Sequence, residues 1–315
     1  MSSAAAARLQ RVTKRFGAVT AVDGVTLTID VGAVFGLIGP NGAGKTTTFS
    51  ILAGYLWPTE GKAEVLGFAP TAVDSLRGRL GVLPQDALLP PGDTVGEFLM
   101  HMARLQDVPA AKAEEVARRG LEEVAGRDWW RQRCGALSHG MAKRVGLAQA
   151  FLGDPEMVLL DEPTAGLDPK VAFEVRELIA SKRGRATIVV SSHNLHELEA
   201  LCDSAAILDR GRLMASARMA DLTAANEQIR VQFAPGTRRG SGDGEVPLNE
   251  LRGLTMVKTV DFDDEGLALH VSFERKDADA ETVIGAVLWV LLQKKVRISG
   301  VAKGRGLEQR VMDLT

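Results

Sequence analysis

The segment Gly39–Thr47 has the sequence GPNGAGKTT and matches the pattern G-x-x-x-x-G-K-[ST]. It lies between a predicted strand, Val34–Ile38, and a predicted helix, Thr46–Ala53. Glycines let backbone N–H groups turn inward around a polyphosphate, and the helix points its positive end at the same anion. In this pattern Lys45 reaches the outer phosphates, and the Thr46 hydroxyl can bind Mg²⁺. The segment therefore predicts binding of a nucleoside triphosphate. The candidate binding residues are Gly39, Asn41, Gly42, Ala43, Gly44, Lys45, Thr46 and Thr47.

A second candidate site follows the apolar run Met157–Leu160, which leads into Asp161 and Glu162. Parallel sheets bind their ligands at the carboxyl ends of their strands, where such an acidic pair would lie. We expect Asp161 to contact the magnesium shell and Glu162 to polarise the attacking water as a general base. A solvated turn would explain the pair better if it stood alone. The phosphate-binding segment upstream favours the catalytic interpretation.

The pattern outside these segments predicts an α/β fold. Val25–Ile29, Leu80–Leu83 and Thr187–Val190 are further strand candidates, and the later apolar runs are each followed by a helical segment. This order is typical of a parallel sheet with crossover helices, whose strands are covered on both faces. Between about 86 and 153 the spacing is helical, with helices predicted at Val95–Leu105 and Ala110–Ala125.

The character of the sequence changes again after about residue 223. The segment Pro235–Pro247 is rich in Gly, Arg and Ser and predicts a flexible loop, in which Arg238 and Arg239 form a solvated turn. The elements predicted beyond it are the strands Thr255–Phe262, Leu267–Phe273 and Val296–Val301 and the helix Ala278–Lys294. We therefore expect a first domain over 1–222 and a small α+β domain over 223–315.

Composition narrows the class of protein. The formal net charge is −2, whereas a dedicated nucleic-acid binder usually carries a basic excess, so no nucleic-acid partner is expected. Cys134 and Cys202 are the two cysteines, too few for a disulfide framework and suited to a reducing cytoplasm. The longest apolar run, Val283–Leu292, is about half of the ~20 residues that a membrane helix requires, and it is better explained as the buried face of a soluble helix. We expect a soluble, cytoplasmic chain that reaches a membrane only through a partner.

Six motifs, taken in order, resemble those of the nucleotide-binding domain of ATP-binding cassette transporters. They are GPNGAGKTT at 39–47, GVLPQD at 81–86, LSHGM at 137–141, VLLDEP at 158–163, GLD at 166–168 and SSHN at 191–194. The resemblance covers about residues 8–222, and the order and spacing together make it specific. It implies a P-loop NTPase core with an antiparallel β subdomain and a helical insert.

The resemblance also implies roles for single residues. Gln85 is similar to the loop glutamine that senses magnesium and links the site to a membrane partner. His193 resembles the switch histidine at the terminal phosphate, and Asp168 resembles the aspartate that communicates across a dimer. Phe16 stands where the family carries an aromatic that stacks on adenine, although a core residue is an equally good explanation. Lys45 and Glu162 take the catalytic roles given above.

The motif LSHGM departs from the family's usual LSGGQ. His139 replaces a glycine and Met141 replaces a glutamine, while Ser138 and Gly140 are retained as candidate contacts to ATP. A serine and a helix N-terminus directed at a phosphate need no glutamine side chain. His139 requires a backbone that tolerates a β-carbon, and slow or asymmetric hydrolysis is one possible result. A helix is predicted over 142–152, and its apolar face contains Val145, Ala148 and Leu152.

In the family, the LSHGM-type motif of one copy completes the ATP site of another. The resemblance thus implies an ATP-sandwiched dimer, expected with a second copy of this chain, and a permease on another polypeptide at the cytoplasmic face of the membrane. The ending LEQRVMDLT, 307–315, is similar to the tail of exporter-type subunits; it could stabilise the dimer, regulate turnover, dock a partner or simply pack. Two alternatives stay open: a soluble cassette ATPase, and a regulatory module that binds ATP without hydrolysing it.

Overall fold

The computed structural model describes residues 5–86, 88–223, 228–234, 236–239, 242–262, 268–273, 278–303, 307, 311–312 and 314–315. The chain divides into two compact units, residues 1–219 and 220–314. Within the described ranges, no helix combines the length and the apolar character needed to cross a membrane. Pro235, Leu267 and most of the 307–315 tail lie outside the described residues, so the predictions made for them are not tested.

The first unit combines two sheets with helices. Its strands are β1 (Ala5–Phe16), β2 (Val19–Asp30), β3 (Val34–Ile38), β4 (Glu60–Val65), β5 (Leu80–Leu83), β6 (Met157–Asp161), β7 (Thr187–Ser191), β8 (Ser204–Asp209) and β9 (Arg212–Arg218). Its helices are α1 (Lys45–Leu52), α2 (Val73–Leu76), α3 (Val95–Leu105), α4 (Ala113–Glu123), α5 (His139–Ala150), α6 (Pro169–Ser181) and α7 (Leu195–Leu201). α8 (Met219–Thr223) spans the point of division.

The larger sheet has six strands in the order β5-β6-β7-β3-β8-β9. All neighbouring pairs are parallel except β8 and β9. Every residue of β3, β6 and β7 is buried, which explains their continuous apolar sequences, because crossover connections cover both faces of a parallel sheet. Burial of one Leu or Val side chain here contributes about 1.5–3 kcal/mol. The predicted buried parallel strands are confirmed.

The smaller sheet is antiparallel, with three strands in the order β2-β1-β4. Its apolar side chains pack against α1 in one core cluster that includes Leu9, Val25 and Phe49. The helical insert lies between β5 and β6 and contains α3, α4 and α5. α3 begins with a capping box, in which the Thr94 side chain accepts from the Glu97 N–H and the Glu97 carboxylate accepts from the Thr94 N–H. The α/β fold with an antiparallel subdomain and a helical insert is confirmed.

The second unit is built on a four-stranded antiparallel sheet in the order β13-β14-β10-β15. Its elements are β10 (Gln228–Phe233), β11 (Arg238–Arg239), β12 (Glu245–Val246), α9 (Leu248–Arg252), β13 (Val257–Phe262), β14 (Ala268–Phe273), α10 (Ala280–Gln293) and β15 (Ile298–Lys303). α10 buries Val283, Val287, Val290 and Leu291 in the core of this unit. The predicted small α+β fold is confirmed.

Three local predictions need correction. Arg238 and Arg239 do not form a turn; they form the short strand β11, parallel to β12, since a flanking segment offers backbone partners. The helix predicted over 142–152 occupies His139–Ala150 because Ser138 caps it earlier, and Leu152 lies beyond its end. Val283–Leu292 is not buried along its whole length: Leu292 and Trp289 are exposed, as the helical period requires of a helix with one face on a sheet.

Candidate functional site

The phosphate-binding segment connects β3 to α1. Gly44 caps α1 with φ of 96°, in the left-handed region that glycine enters without a steric penalty, so the first helical residue is Lys45. The Lys45 ammonium donates to the backbone oxygens of Gly39 at 2.6 Å and Pro40 at 3.1 Å. Burial lowers the pKa of Lys45, and attraction to the Glu162 and Asp161 carboxylates opposes that shift. The one lysine of this segment therefore lies beside both predicted acidic residues.

Other candidate residues of the segment differ in exposure. Asn41, Gly42 and Thr46 are exposed, Gly39, Gly44 and Thr47 are half-buried, and Ala43 is buried. The exposed Thr46 hydroxyl belongs to the first turn of α1, where N–H groups lack helical partners. Backbone donors, a hydroxyl and an ammonium thus meet at one helix N-terminus, an arrangement suited to a polyphosphate.

Sheet register brings the acidic pair to the same edge. β7 lies between β3 and β6, and Ser191 is paired with Leu37 on one side and with Asp161 on the other. The strand that leads into the phosphate-binding segment and the strand that carries Asp161 are therefore separated by a single strand. All three strands end at this edge, as expected for a ligand site in a parallel sheet.

Asp161 is held inside this edge. Asp161 is only 3% exposed, and its Oδ1 accepts a hydrogen bond from the Ser191 hydroxyl. Burial raises the pKa of Asp161, and the Ser191 hydrogen bond opposes the shift. A cation next to Asp161 would offset the cost of burying this carboxylate. The carboxylate of Asp161 and the hydroxyl of Thr46 are oxygen ligands of the kind that Mg²⁺ takes, so the residues present fit this ion.

A protein cage for a metal is not found. Among the residues that the structure describes, no group of three or more His, Cys, Asp or Glu side chains could hold a metal ion. Mg²⁺ in nucleotide sites is commonly held by one or two protein ligands together with phosphate oxygens and water. The sparse donor set is thus consistent with a magnesium ion that enters with a nucleotide.

Glu162 continues directly from Asp161 in a special backbone conformation. Its φ is 49°, in the left-handed region, and its N–H donates to the Ser191 carbonyl at 3.0 Å. Its Oε2 lies 2.9 Å from His193 Nδ1. The Glu162 side chain is largely buried, whereas the His193 side chain is 70% exposed. The pair therefore presents one sheltered carboxylate and one accessible imidazole at the open edge of the sheet.

Two further candidates lie near the surface. Phe16 is 48% exposed, so the explanation as a core residue is wrong, and its ring is open to contact a base. The Lys14 ammonium lies 5.1 Å from the centre of that ring. The side chain of Gln85 is exposed, and its backbone oxygen accepts a hydrogen bond from Lys143 at 3.1 Å.

The LSHGM segment begins α5. The Ser138 hydroxyl accepts from the Met141 N–H at 3.3 Å and so caps the helix. His139 is the first helical residue, which answers the concern raised by its β-carbon, because a right-handed helical backbone accepts any L-residue except proline without strain. Its imidazole lies against Gly166: a β-carbon added to Gly166 would come within 2.9 Å of His139 Nε2. Gly140 is half-buried within the same first turn.

Asp168 caps the N-terminus of α6. Its Oδ1 accepts from the N–H groups of Lys170 and Val171, both at 3.1 Å, and caps α6, with Pro169 at the first helical position. Because the Asp168 side chain makes this cap, it fixes the conformation of the GLD segment, of which Asp168 is the last residue.

Two residues of the site were not singled out from the sequence. The Ser191 hydroxyl donates to Asp161, and the Ser191 carbonyl accepts from the Glu162 N–H. Lys143, on α5, donates to the backbone oxygen of Gln85. Ser191 stood within the quoted SSHN motif, so its position after a buried strand was a usable signal. Lys143 gave no such signal, since its partner lies 58 residues away.

Known proteins resemble this chain over the region just described. The protein-family model described as "ABC transporter" matches residues 22–165, and one described as "AAA domain, putative AbiEii toxin, Type IV TA system" matches residues 134–199. The chain is 38% identical over 208 residues to the Nod factor export ATP-binding protein I of Burkholderia lata, covering 65% of this chain and 68% of that protein. It is 38% identical over 221 residues to an uncharacterized ABC transporter ATP-binding protein of Nostoc sp., covering 69% of this chain and 66% of that one.

A solved structure agrees with these sequence matches. It is the ATP-binding subunit of an ABC transporter, with a TM-score of 0.64 and 28% identity, and the match covers 69% of this chain and 91% of that one. A second, a dimeric ATP-binding cassette bound to ADP and Pi, has a TM-score of 0.62 at 23% identity and covers 68% of this chain and 98% of that one, a likeness of fold alone. The chain thus spans about two thirds of the length of the curated relatives it matches.

Proposed function

Since this chain belongs to the ABC transporter ATP-binding proteins, we propose that it hydrolyses ATP between Lys45 and Glu162 to drive export through a separate permease. Family membership makes the chain an ATP-binding ATPase subunit of a transport system. We propose, in addition, that hydrolysis uses Lys45 and Glu162, that transport is export, and that the partners are a separate permease and a second cassette.

One observation carries the proposal. Glu162 lies at the same sheet edge as the Lys45 segment: its backbone N–H donates to the Ser191 carbonyl, and its carboxylate contacts His193. Hydrolysis needs an acceptor for the proton of the attacking water and a group that holds the terminal phosphate near it. A sheltered carboxylate with an accessible imidazole at 2.9 Å supplies both.

The residues then divide the work between binding and chemistry. The N–H groups of Gly42 to Thr47 and the Lys45 ammonium hold the phosphates, and the ring of Phe16 covers the base. Glu162 accepts a proton from water while His193 steadies the terminal phosphate. Thr46 and Asp161, with the Gln85 side chain, would hold Mg²⁺, which neutralises phosphate charge. Since phosphoryl transfer depends mainly on positioning and charge, this small set of groups is sufficient.

The proposal includes a dimer of identical chains. Ser138, His139 and Gly140 form an N-terminus of α5 that is partly open to solvent, and its N–H groups favour an anion. We infer that this end of α5 closes over the ATP held by a second copy, so that each site uses groups of both chains. Asp168 would contribute to the same contact. Differential affinity of ATP for the closed form would shift the equilibrium toward it.

The permease is proposed to bind near the Gln85 loop on the cytoplasmic face of the membrane. Leu88 in that loop is 93% exposed and is therefore accessible to a partner. Export as the direction is supported by relatives with the printed name "Nod factor export ATP-binding protein I". The cargo itself is not specified by any residue of the site.

Gel filtration of Glu162→Gln with ATP and Mg²⁺ tests the proposal. Without its general base, this variant should hold ATP and elute at twice the mass of one chain, and it should return to the smaller mass after nucleotide removal. The matched control is the double variant Lys45→Met/Glu162→Gln, which should stay at the smaller mass under both conditions. An unchanged mass for Glu162→Gln with ATP, or an ATPase rate equal to that of the wild type, would contradict the proposal.

A further inference from the structure

Lys143 is a buried charge with an unusual set of neighbours. The residue is 6% exposed and lies on α5, the helix that Ser138 caps. Lysine is almost never this buried unless it is paired. Its ammonium donates to the backbone oxygen of Gln85 at 3.1 Å, a hydrogen bond that links the helical insert to the loop after β5.

The surroundings of this ammonium are acidic. Burial lowers the pKa of Lys143, while attraction to the carboxylates of Asp161, Glu162 and Asp86 opposes that shift. These are the acidic pair of the hydrolytic site and the neighbour of Gln85. The Lys143 ammonium therefore binds the Gln85 loop and is attracted to the carboxylates that would act on ATP.

Lys45, the other buried lysine among the described residues, has a different kind of partner. Lys45 donates to the backbone oxygens of its own phosphate-binding segment. Lys143 instead donates to a carbonyl 58 residues away in the sequence, on a different element. A buried cation held this way fixes the position of its acceptor, because moving the acceptor leaves both groups without a partner in a poorly solvated place.

We propose that Lys143 is a positioning residue, which fixes the backbone of Gln85 beside the Asp161–Glu162 pair and so ties α5 to the hydrolytic site of its own chain. This inference rests on the proposed function of that site. Closure of a second copy on the N-terminus of α5 would then act on Gln85 of the same chain through Lys143.

Hydrogen exchange in the nucleotide-free protein tests the contact. Lys143→Met, which keeps the length of the side chain and removes its donor, should speed amide exchange in the peptide that carries Gln85 and Asp86 by about tenfold. Exchange in β6 and β7 should stay at the wild-type rate, and Lys143→Arg should restore slow exchange near Gln85. The control is Lys112→Met, on an exposed lysine of the same insert, which should change neither peptide.

Steady-state ATPase kinetics test the function of the contact. Lys143→Met should lower kcat about tenfold with little change in the KM for ATP, since the residue positions the hydrolytic groups and does not hold nucleotide. Lys143→Arg should recover a large part of kcat. Should Lys143→Met fail to fold in a thermal melt, Lys143→Leu, which also lacks a donor, replaces it in both measurements with the same expectations.

The outcomes separate this inference from the proposed function. Unchanged exchange at Gln85, or unchanged kcat, in a folded Lys143→Met or Lys143→Leu variant would overturn the inference. A wild-type chain without ATPase activity would instead refute the proposed function, and the exchange measurement would still decide whether Lys143 holds Gln85.

Discussion

Glu162 Oε2 lies 2.9 Å from His193 Nδ1, and these two side chains come from the ends of neighbouring parallel strands. The Glu162 side chain is largely buried, whereas the His193 side chain is exposed to solvent. The contact therefore orients an imidazole toward solvent at the edge where the triphosphate is proposed to bind, while its carboxylate partner is kept in place by the backbone of Ser191.

The first prediction concerns His193. Replacement by alanine should lower kcat by about 10²–10³, because a group that steadies the terminal phosphate and orients Glu162 is lost. The KM for ATP should change less than kcat. His196→Ala is the matched control, an exposed histidine three residues on in α7, and its kcat should stay within about twofold of the wild type. Equal losses in the two variants would rule out a specific role for His193.

The second prediction concerns Lys45. Lys45→Met should weaken ATP binding by about 10- to 100-fold, since one charge-assisted contact to the phosphates disappears and the carbonyls of Gly39 and Pro40 lose their donor. Titration with a fluorescent ATP analogue measures this change. Lys62→Met, at an exposed position of β4, serves as the control and should bind like the wild type. Wild-type affinity in Lys45→Met would remove the basis of the proposed binding site.

The third prediction follows from the raised pKa of Asp161. Because the pKa in the folded protein lies above its unfolded value, the ionised carboxylate destabilises the fold at neutral pH, and this cost disappears as the pH falls through the folded pKa toward the unfolded one. Asp161→Asn should therefore raise the Tm at pH 7 by on the order of 2 °C. The gain should vanish in acid, below the ordinary pKa of 3.8.

This measurement is made in buffer without nucleotide or Mg²⁺, with ATPase activity recorded separately. Activity should be lost in Asp161→Asn even though the fold is stabilised, as is common where a functional site holds a costly charge. Asp154→Asn, at an exposed aspartate, should leave the Tm unchanged within error. A lower Tm for Asp161→Asn at pH 7 would show that its interactions outweigh its burial.

The fourth prediction concerns the left-handed backbone at Glu162. An alanine there keeps the unfavourable φ of 49°, whereas glycine adopts it freely. Glu162→Gly should therefore be more stable to unfolding than Glu162→Ala by about 1 kcal/mol, although both lack the carboxylate and both should be inactive. Urea denaturation of the two variants measures the difference. The opposite order of stability would mean that the conformation is not strained.

Prediction from sequence succeeded where local signals and the fold agree. The helix after the phosphate-binding segment was expected at Thr46–Ala53 and occupies Lys45–Leu52, since glycine turns and a helix start are encoded by neighbouring residues. The strands at Met157 and Thr187 were found because burial on both faces leaves a continuous apolar sequence. The roles assigned to Gln85, Asp168 and Ser138 stay predictions.

Prediction failed where long-range pairing decides the structure. β1 was not foreseen as a strand, because its register with β2 and β4 contains several bulges that break the alternation of apolar residues. β10 was missed as well, and it becomes a central strand only through its partners β14 and β15. The contact between Lys143 and Gln85 has the same origin, since helix and loop meet only after the insert has folded.

The bend at Gly39 has a consequence for how nucleotide affinity arises. Its φ of 154° goes with close packing, in which an added β-carbon would collide with the Leu208 carbonyl oxygen and approach Ala43 Cβ to 2.8 Å. Close packing against β8 and against Ala43 thus fixes the curvature of the loop at this glycine. A preorganised receptor loses little conformational freedom on complex formation, so most of the attraction between amides and phosphates remains available as binding free energy.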